Sequence, residues 1–381
     1  MLAVSAVLGH FGLHLGLYNR LNALGWPRRW IKRTEKILFA EMWLTLAAFL
    51  WWGGDACRAL IDGSATVEAL SWPMLVYGSV CLAAWIVLGL PWLLWRPILR
   101  WEWADAPRRV EVVDVQDALR VPLSRTTSCK WESRLPLNQI FDLAVEEVFL
   151  PVPGLPAGLD GYRIAQLSDI HLTGDIAPDY ARYAVERATA WQPDLIALTG
   201  DIIDKQPCID WLFDIFSPAS APDGCYFVLG NHDTRVVDSW QTREAMDRAG
   251  WTDLGSRALP TTLRGVRAWM IGNEYPWFER PDLPADDSRT FRFLISHSPD
   301  QISWARRKKV QLMLAGHTHG GQGRLPLIGP LLSPSLHGSR YASGDFYKPP
   351  TTMHVSRGLG GVHLLRINCR PELSLLILKA T

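Results

Sequence analysis

Gly316-His317-Thr318-His319-Gly320-Gly321-Gln322 follows the strand-like apolar run Val310 to Leu314. Two imidazoles one residue apart, flanked by glycines, have little structural purpose but suit metal ligation. Four upstream blocks share this chemistry: Asp169-Ile-His171, Gly200-Asp201-Ile-Ile-Asp204, Gly230-Asn231-His232-Asp233 and Ser296-His297-Ser298. Each comes after a short β-prone run: Tyr162 to Leu167, Leu195 to Leu198, Cys225 to Leu229 and Phe291 to Ile295. Pro178 to Trp191 has helical spacing, and Met353 to Leu378 alternates β-prone runs with turns. The pattern is α/β. Loops at the carboxyl ends of neighbouring strands converge on one crevice, so residues distant in sequence can meet there. Gly200, Gly230 and Gly316 stand where a tight turn or close backbone approach is needed.

The blocks supply carboxylate, amide and imidazole but no thiolate, which favours Mn, Fe, Zn or Co over a cysteine-bound structural zinc. Two divalent ions about 3.5–4 Å apart need a bridging carboxylate and room for a shared hydroxide that attacks phosphorus in line. Asp201 is the natural bridge. Asp169, His171 and His319 could complete one metal site, and Asn231, His297 and His317 the other. His232, next to a ligand, is placed to donate a proton or hydrogen bond to the phosphoryl or leaving oxygen. Asp204 is expected to orient it. These two are the candidate catalytic residues.

The first third of the chain is a different material. Of 19 Trp in 381 residues, 12 lie at or before Trp131. Met1 to Leu17, Ile37 to Gly54 and Ala69 to Trp95 are apolar, and the last is uncharged and long enough to cross a bilayer. The connection carrying Arg20, Arg28, Arg29, Lys32, Arg33 and Lys36 is basic, that carrying Asp55, Asp62 and Glu68 acidic, and Arg96, Arg100, Arg108 and Arg109 follow the third stretch. Basic loops stay in the cytoplasm, which predicts an outside N-terminus and a cytoplasmic catalytic domain at the cytoplasmic (inner) membrane. The expected layout is a membrane region over 1–95 with up to three transmembrane helices, a connector over 96–146 and a catalytic domain over 147–381. Net charge is +1, so no nucleic-acid partner is expected. The six Cys form no C-x-x-C and read as free thiols.

These blocks resemble those of the calcineurin-like metallophosphoesterases. The longer strings Gly316 to Pro326, Arg340 to Gly344 and Val355 to Gly360 resemble a membrane-associated bacterial subgroup with apolar N-terminal segments. The resemblance implies a four-layer α-β-β-α sandwich, a dinuclear centre at one edge with Mn as its first candidate, and the roles given above. The block around His297 departs slightly, reading S-H-S rather than G-H. Lys205-Gln206 stands where Ser/Thr protein phosphatases of the family carry R-G, which disfavours a protein substrate. Some members of the subgroup cleave the pyrophosphate of UDP-2,3-diacylglucosamine to lipid X plus UMP, in lipid A synthesis. A lipid-linked substrate beside a bilayer partner is therefore the leading expectation. Rivals are a general phosphodiesterase or phosphatase acting on nucleotides or phospholipid head groups, and a catalytically silent metal-bearing scaffold. Arg340, Arg357 and His337, in Gly/Ser-rich loops, are candidate phosphate contacts.

Overall fold

A computed structural model describes residues 2–285 and 289–381. The chain divides into two units, Met1–Trp101 with Leu327–Arg340, and Glu102–Pro326 with Tyr341–Thr381.

The first unit is helical, with α1 (Leu2–Leu21), α2 (Arg28–Ile61) and α3 (Trp72–Leu94). Among the described residues, α2 and α3 are the two helices long and apolar enough to cross a membrane, and almost none of either is buried. Ile37, Phe39, Leu44 and Leu50 on α2, and Val76, Val80 and Val87 on α3, all face outward. Such a surface is costly in water and suited to hydrocarbon. Gly9 lets α1 approach α3 closely, because a Cβ there would lie 1.8 Å from the Cys81 carbonyl oxygen. Polar side chains join the helices: His10 Nδ1 contacts the Tyr77 hydroxyl at 2.7 Å, and His14 pairs with Glu41. The Leu327–Arg340 segment belongs to this unit: Asn19 donates to the Leu331 carbonyl and accepts from the Ser333 amide, at 3.0 and 2.8 Å.

The second unit is a sandwich of two mixed sheets. The first holds β1 (Arg108–Asp114), β2 (Asp142–Val152), β3 (Arg163–Leu167), β4 (Leu195–Leu198), β5 (Cys225–Phe227) and β6 (Thr252–Asp253). The second holds β7 (Ala258–Leu263), β8 (Val266–Asn273), β9 (Phe291–Ser296), β10 (Leu312–Ala315), β11 (Gly344–Lys348) and β12 (Thr351–Val355). The last strand, β13 (Glu372–Ala380), returns to the first sheet, which runs β1-β2-β13-β3-β4-β5-β6, while the second runs β11-β12-β10-β9-β8-β7. β3 to β6 are mutually parallel, as are β8, β9, β10 and β12.

Between the sheets lies an apolar layer from alternate strand positions, including Ile164, Ala197, Phe293, Leu312 and Leu376. On the outer face of the first sheet, α4 (Pro178–Ala190) packs Tyr180, Ala184 and Val185 against Ala165, Leu167 and Ile196. On the outer face of the second, α5 (Ile302–Arg307) packs Ile302, Trp304 and Ala305 against Leu294 and Met313. The layers are therefore helix, sheet, sheet, helix, as anticipated.

Two boundaries differ from expectation. The stretch read as a connector supplies β1, which pairs antiparallel with β2 from Arg108 opposite Val148 to Asp114 opposite Asp142. β1 is a solvated edge strand, so no buried apolar alternation advertised it. The catalytic sequence is also interrupted by Leu327–Arg340, which joins the helical unit.

A buried polar network joins the two sheets. His354 on β12 contacts Asp345 at 2.6 Å and Ser374 at 3.0 Å, with Glu372 at 3.4 Å. Burial alone would keep His354 neutral, but Asp345 and Glu372 push its pKa up to about 9. A group raised on folding stabilises fully below its unfolded value of about 6.5, and this stabilisation is lost as pH rises through about 9. The melting temperature should therefore fall between pH 6.5 and 9.5. His354→Gln should be less stable at pH 6.5 and show a flatter profile, measured by circular dichroism. Parallel wild-type and variant profiles would contradict this.

Candidate metal centre

All five blocks leave the sandwich at strand ends: Asp169 after β3, Asp201 after β4, Asn231 after β5, His297 after β9, His317 and His319 after β10. The backbone at these ends is held in an uncommon conformation. Asp169, His171, Asp201, His317 and His319 all have φ between 50° and 70°. Left-handed backbone at non-glycine residues costs on the order of 1–3 kcal/mol each and collects where surrounding structure enforces it. The glycines allow ligand side chains to pack directly on backbone. A Cβ at Gly230 would lie 2.3 Å from Asp201 Oδ1, and one at Gly316 would lie 2.4 Å from Asp169 Oδ2.

Two candidate ligand groups, Asp169-His171-Asp201-His319 and Asp201-His297-His317, share Asp201, and a third cluster, His171-Asp204-His232, shares His171 with the first. Within the first, His171 Nε2 and His319 Nε2 face each other at 3.1 Å. Within the second, His297 Nε2 and His317 Nδ1 face each other at 3.1 Å, and Asn231 Oδ1 lies 3.1 Å from His297 Nε2. Two nitrogens each about 2.1 Å from one cation lie roughly 3.0–3.4 Å apart, for right-angle to tetrahedral geometry. Both pairs match that spacing.

Hydrogen bonds on the far side of each ring fix which nitrogen faces inward. His171 Nδ1 donates to Asp204 Oδ2 at 2.7 Å and His297 Nδ1 donates to the Thr199 carbonyl at 2.8 Å, leaving both Nε2 atoms as ligands. Asp201 Oδ1 accepts the His232 amide at 2.7 Å. Its Oδ2 is buried without a hydrogen-bond partner, 3.5 Å from His171 Nε2 and 3.4 Å from His297 Nε2. An orphaned carboxylate oxygen between two ligand sets is costly unless cations meet it. The residues present thus fit a pair of divalent ions.

The electrostatics agree. Burial opposes charge on Asp201, yet the imidazoles of His297, His232 and His171 hold it well below the usual carboxylate range. Burial favours neutral His297, but Asp201 and Asp169 push its pKa up to about 9.

His232 stands outside both groups. Its Nδ1 donates to Asp204 Oδ1 at 2.5 Å, so Asp204 spans His232 and the ligand His171. Burial pushes the His232 pKa down to about 4. Sequence reasoning passed over three neighbours. Arg235 donates to His232 Nε2 at 2.7 Å and to Asp204 Oδ1 at 2.9 Å. It lies three residues after His232 on one tight turn, the signal that could have found it. Asp233 accepts the Ile202, Ile203 and Gly230 amides, at 2.9, 2.9 and 2.7 Å, tying the Asp201 loop to the Asn231 loop. Trp277 walls the second ligand group, its ring centroid 4.8 Å from that of His317.

His337 and Arg340 are in the Leu327–Arg340 segment of the helical unit, where Arg340 stacks over Trp95 at 4.0 Å. The Arg357 guanidinium pairs with Glu146 at 2.6 Å and Glu372 at 3.1 Å.

Residues 162–321 match the model of the calcineurin-like phosphoesterases. The uncharacterized metallophosphoesterase YkuE of Bacillus subtilis (strain 168) is 34% identical over 242 residues, spanning 60% of this chain and 82% of that protein. The chain belongs to the calcineurin-like metallophosphoesterase family. As a member it is a metal-dependent phosphoester hydrolase, and divalent metals are the family's cofactors. The phosphodiesterase YaeI of Escherichia coli (strain K12) is 30% identical over 56% of this chain and 81% of its own length. The UDP-2,3-diacylglucosamine pyrophosphatase LpxG of Chlamydia trachomatis is 23% identical, over 76% of this chain and 96% of its own length.

Proposed function

We propose that this metallophosphoesterase is a membrane-anchored hydrolase that cleaves the pyrophosphate of a lipid-linked nucleotide, with UDP-2,3-diacylglucosamine as the first candidate and lipid X plus UMP as products. The observation that carries the reaction class is the pair of ligand groups sharing Asp201, whose Oδ2 is buried and unpartnered. Asp169, His171 and His319 hold one position; Asn231, His297 and His317 hold the other. Manganese is the proposed physiological ion. A bound pair of divalent cations would supply activated water and relieve negative charge on the phosphoryl oxygens.

The chain's own residues do the rest. His232 is oriented through Nδ1 by Asp204 and accepts from Arg235 at Nε2, so donating a proton to the leaving oxygen would require its imidazolium form, with Asp204 balancing the charge. Arg235 places a fixed positive charge at the same nitrogen, suited to an anionic phosphoryl group.

Three features support the lipid-linked substrate. α2 and α3 are long and apolar enough to cross a bilayer. Basic residues flank them on the side predicted to be cytoplasmic, which favours a multi-pass inner-membrane protein whose catalytic unit faces the cytoplasm. The Chlamydia relative, named for this very activity, matches the largest share of the chain among the three relatives described. A plain phosphodiesterase is the second reading, favoured by the name of the Escherichia coli relative.

The detergent-solubilised protein should release UMP from UDP-2,3-diacylglucosamine in the presence of Mn, read by chromatography, and much faster than it hydrolyses an aryl phosphodiester. Hydrolysis of the aryl diester with no UMP release would sink the lipid-linked substrate and leave the phosphodiesterase.

A further inference from the structure

We infer that Arg366 is a positioning residue for one of the two metal positions, that of Asp169, His171 and His319. This rests on the dinuclear reading above. The Arg366 side chain is fully buried. A buried guanidinium ordinarily answers a carboxylate, yet its four Nη hydrogens meet only backbone carbonyls. Nη1 donates to Arg357 O at 2.8 Å and His319 O at 3.3 Å; Nη2 donates to Gly358 O at 3.3 Å and to Gly360 O.

Those carbonyls belong to two segments bearing on the same metal position. His319 is itself a ligand residue, and its carbonyl also meets Cys369 Sγ at 3.3 Å. The 358–360 turn lies against Asp169. The Leu359 amide donates to Ser168 O at 2.9 Å and the Gly360 amide to Asp169 O at 2.7 Å. Gly358, at φ 71°, packs so closely that a Cβ would lie 2.6 Å from Asp169 Cβ. Arg366 thus clips the backbone of one ligand to the turn that seats another. Among the described residues, Arg366 makes no hydrogen bond to the loops of Asn231, His297 or His317. The planar fork is what does this, because a lysine ammonium lacks the fixed spread to reach four carbonyls.

The test is Arg366→Lys, with Mn binding read by calorimetry and the coupling between bound Mn ions read by electron paramagnetic resonance. Wild type should take up two Mn. The variant should keep one tight Mn with an isolated-ion spectrum, and bind the second about 10–100-fold more weakly, the usual cost of losing an outer support of a metal ligand. Position is assigned in two backgrounds. With His297→Ala, where the Asp169 position remains, adding Arg366→Lys should weaken binding; with His171→Ala it should not. A general structural loss would weaken both.

If Arg366→Lys does not fold, Asn138→Ala serves. Asn138 Oδ1 accepts the Arg366 amide at 2.9 Å, so the variant should show a smaller loss at the same position. Unchanged affinities at both positions in a folded variant, or equal weakening of both, would overturn the inference while leaving the dinuclear reading intact. A wild type that binds fewer than two Mn would overturn that reading, and this inference with it.

Discussion

Asp201→Asn should empty both metal positions at once. Asp201 is the one side chain common to the two ligand groups, and its Oδ2 has no hydrogen-bond donor to release. A neutral amide of the same shape keeps the Oδ1 acceptor for the His232 amide, so the loop should hold its course. It removes the negative charge that three imidazoles sustain well below the ordinary carboxylate range. Losing an outer support costs about 10–100-fold in metal affinity or activity; losing the bridge should exceed that. Elemental analysis of purified variant should find metal falling from two per chain toward none, with hydrolysis at background. A variant carrying two metals would show that Asp201 is not the bridge.

His232→Ala is expected to separate chemistry from metal binding. His232 lies in neither group that contains Asp201, only in the cluster with His171 and Asp204, and its ring is held by Asp204 and Arg235. Removing a positioned acid–base group costs about 10²–10⁴-fold in turnover. The variant should retain two metals and lose turnover by that factor. Equal loss of metal and turnover would make His232 a ligand. The shared Asp204 carboxylate makes the contrast sharper, because the Asp204 bond to His171 survives the His232 substitution.

How much of this was legible follows from what each element buries. The strands that end at ligand blocks are apolar on both faces, because sheet and helix cover them, so Leu195–Leu198 and Phe291–Ser296 were visible as runs. The ligands were visible because their chemistry has few other uses. β1 was not, since an edge strand solvated on both faces carries no periodic signal. Arg357 was singled out in sequence as a candidate phosphate contact and Arg366 was not. One answers buried carboxylates and the other four carbonyls, a distinction made only by tertiary packing. His337 and Arg340 follow the ligand blocks in sequence, yet the chain has by then passed into the helical unit.

The central claim is that the shared-Asp201 centre works as a cation pair. The most direct measurement is a titration of metal-stripped wild-type protein with Mn, following hydrolysis of an aryl phosphodiester. The expected result is no hydrolysis without metal and a rate that saturates at two equivalents per chain. Full hydrolysis by the stripped protein, or saturation at one equivalent, would contradict it.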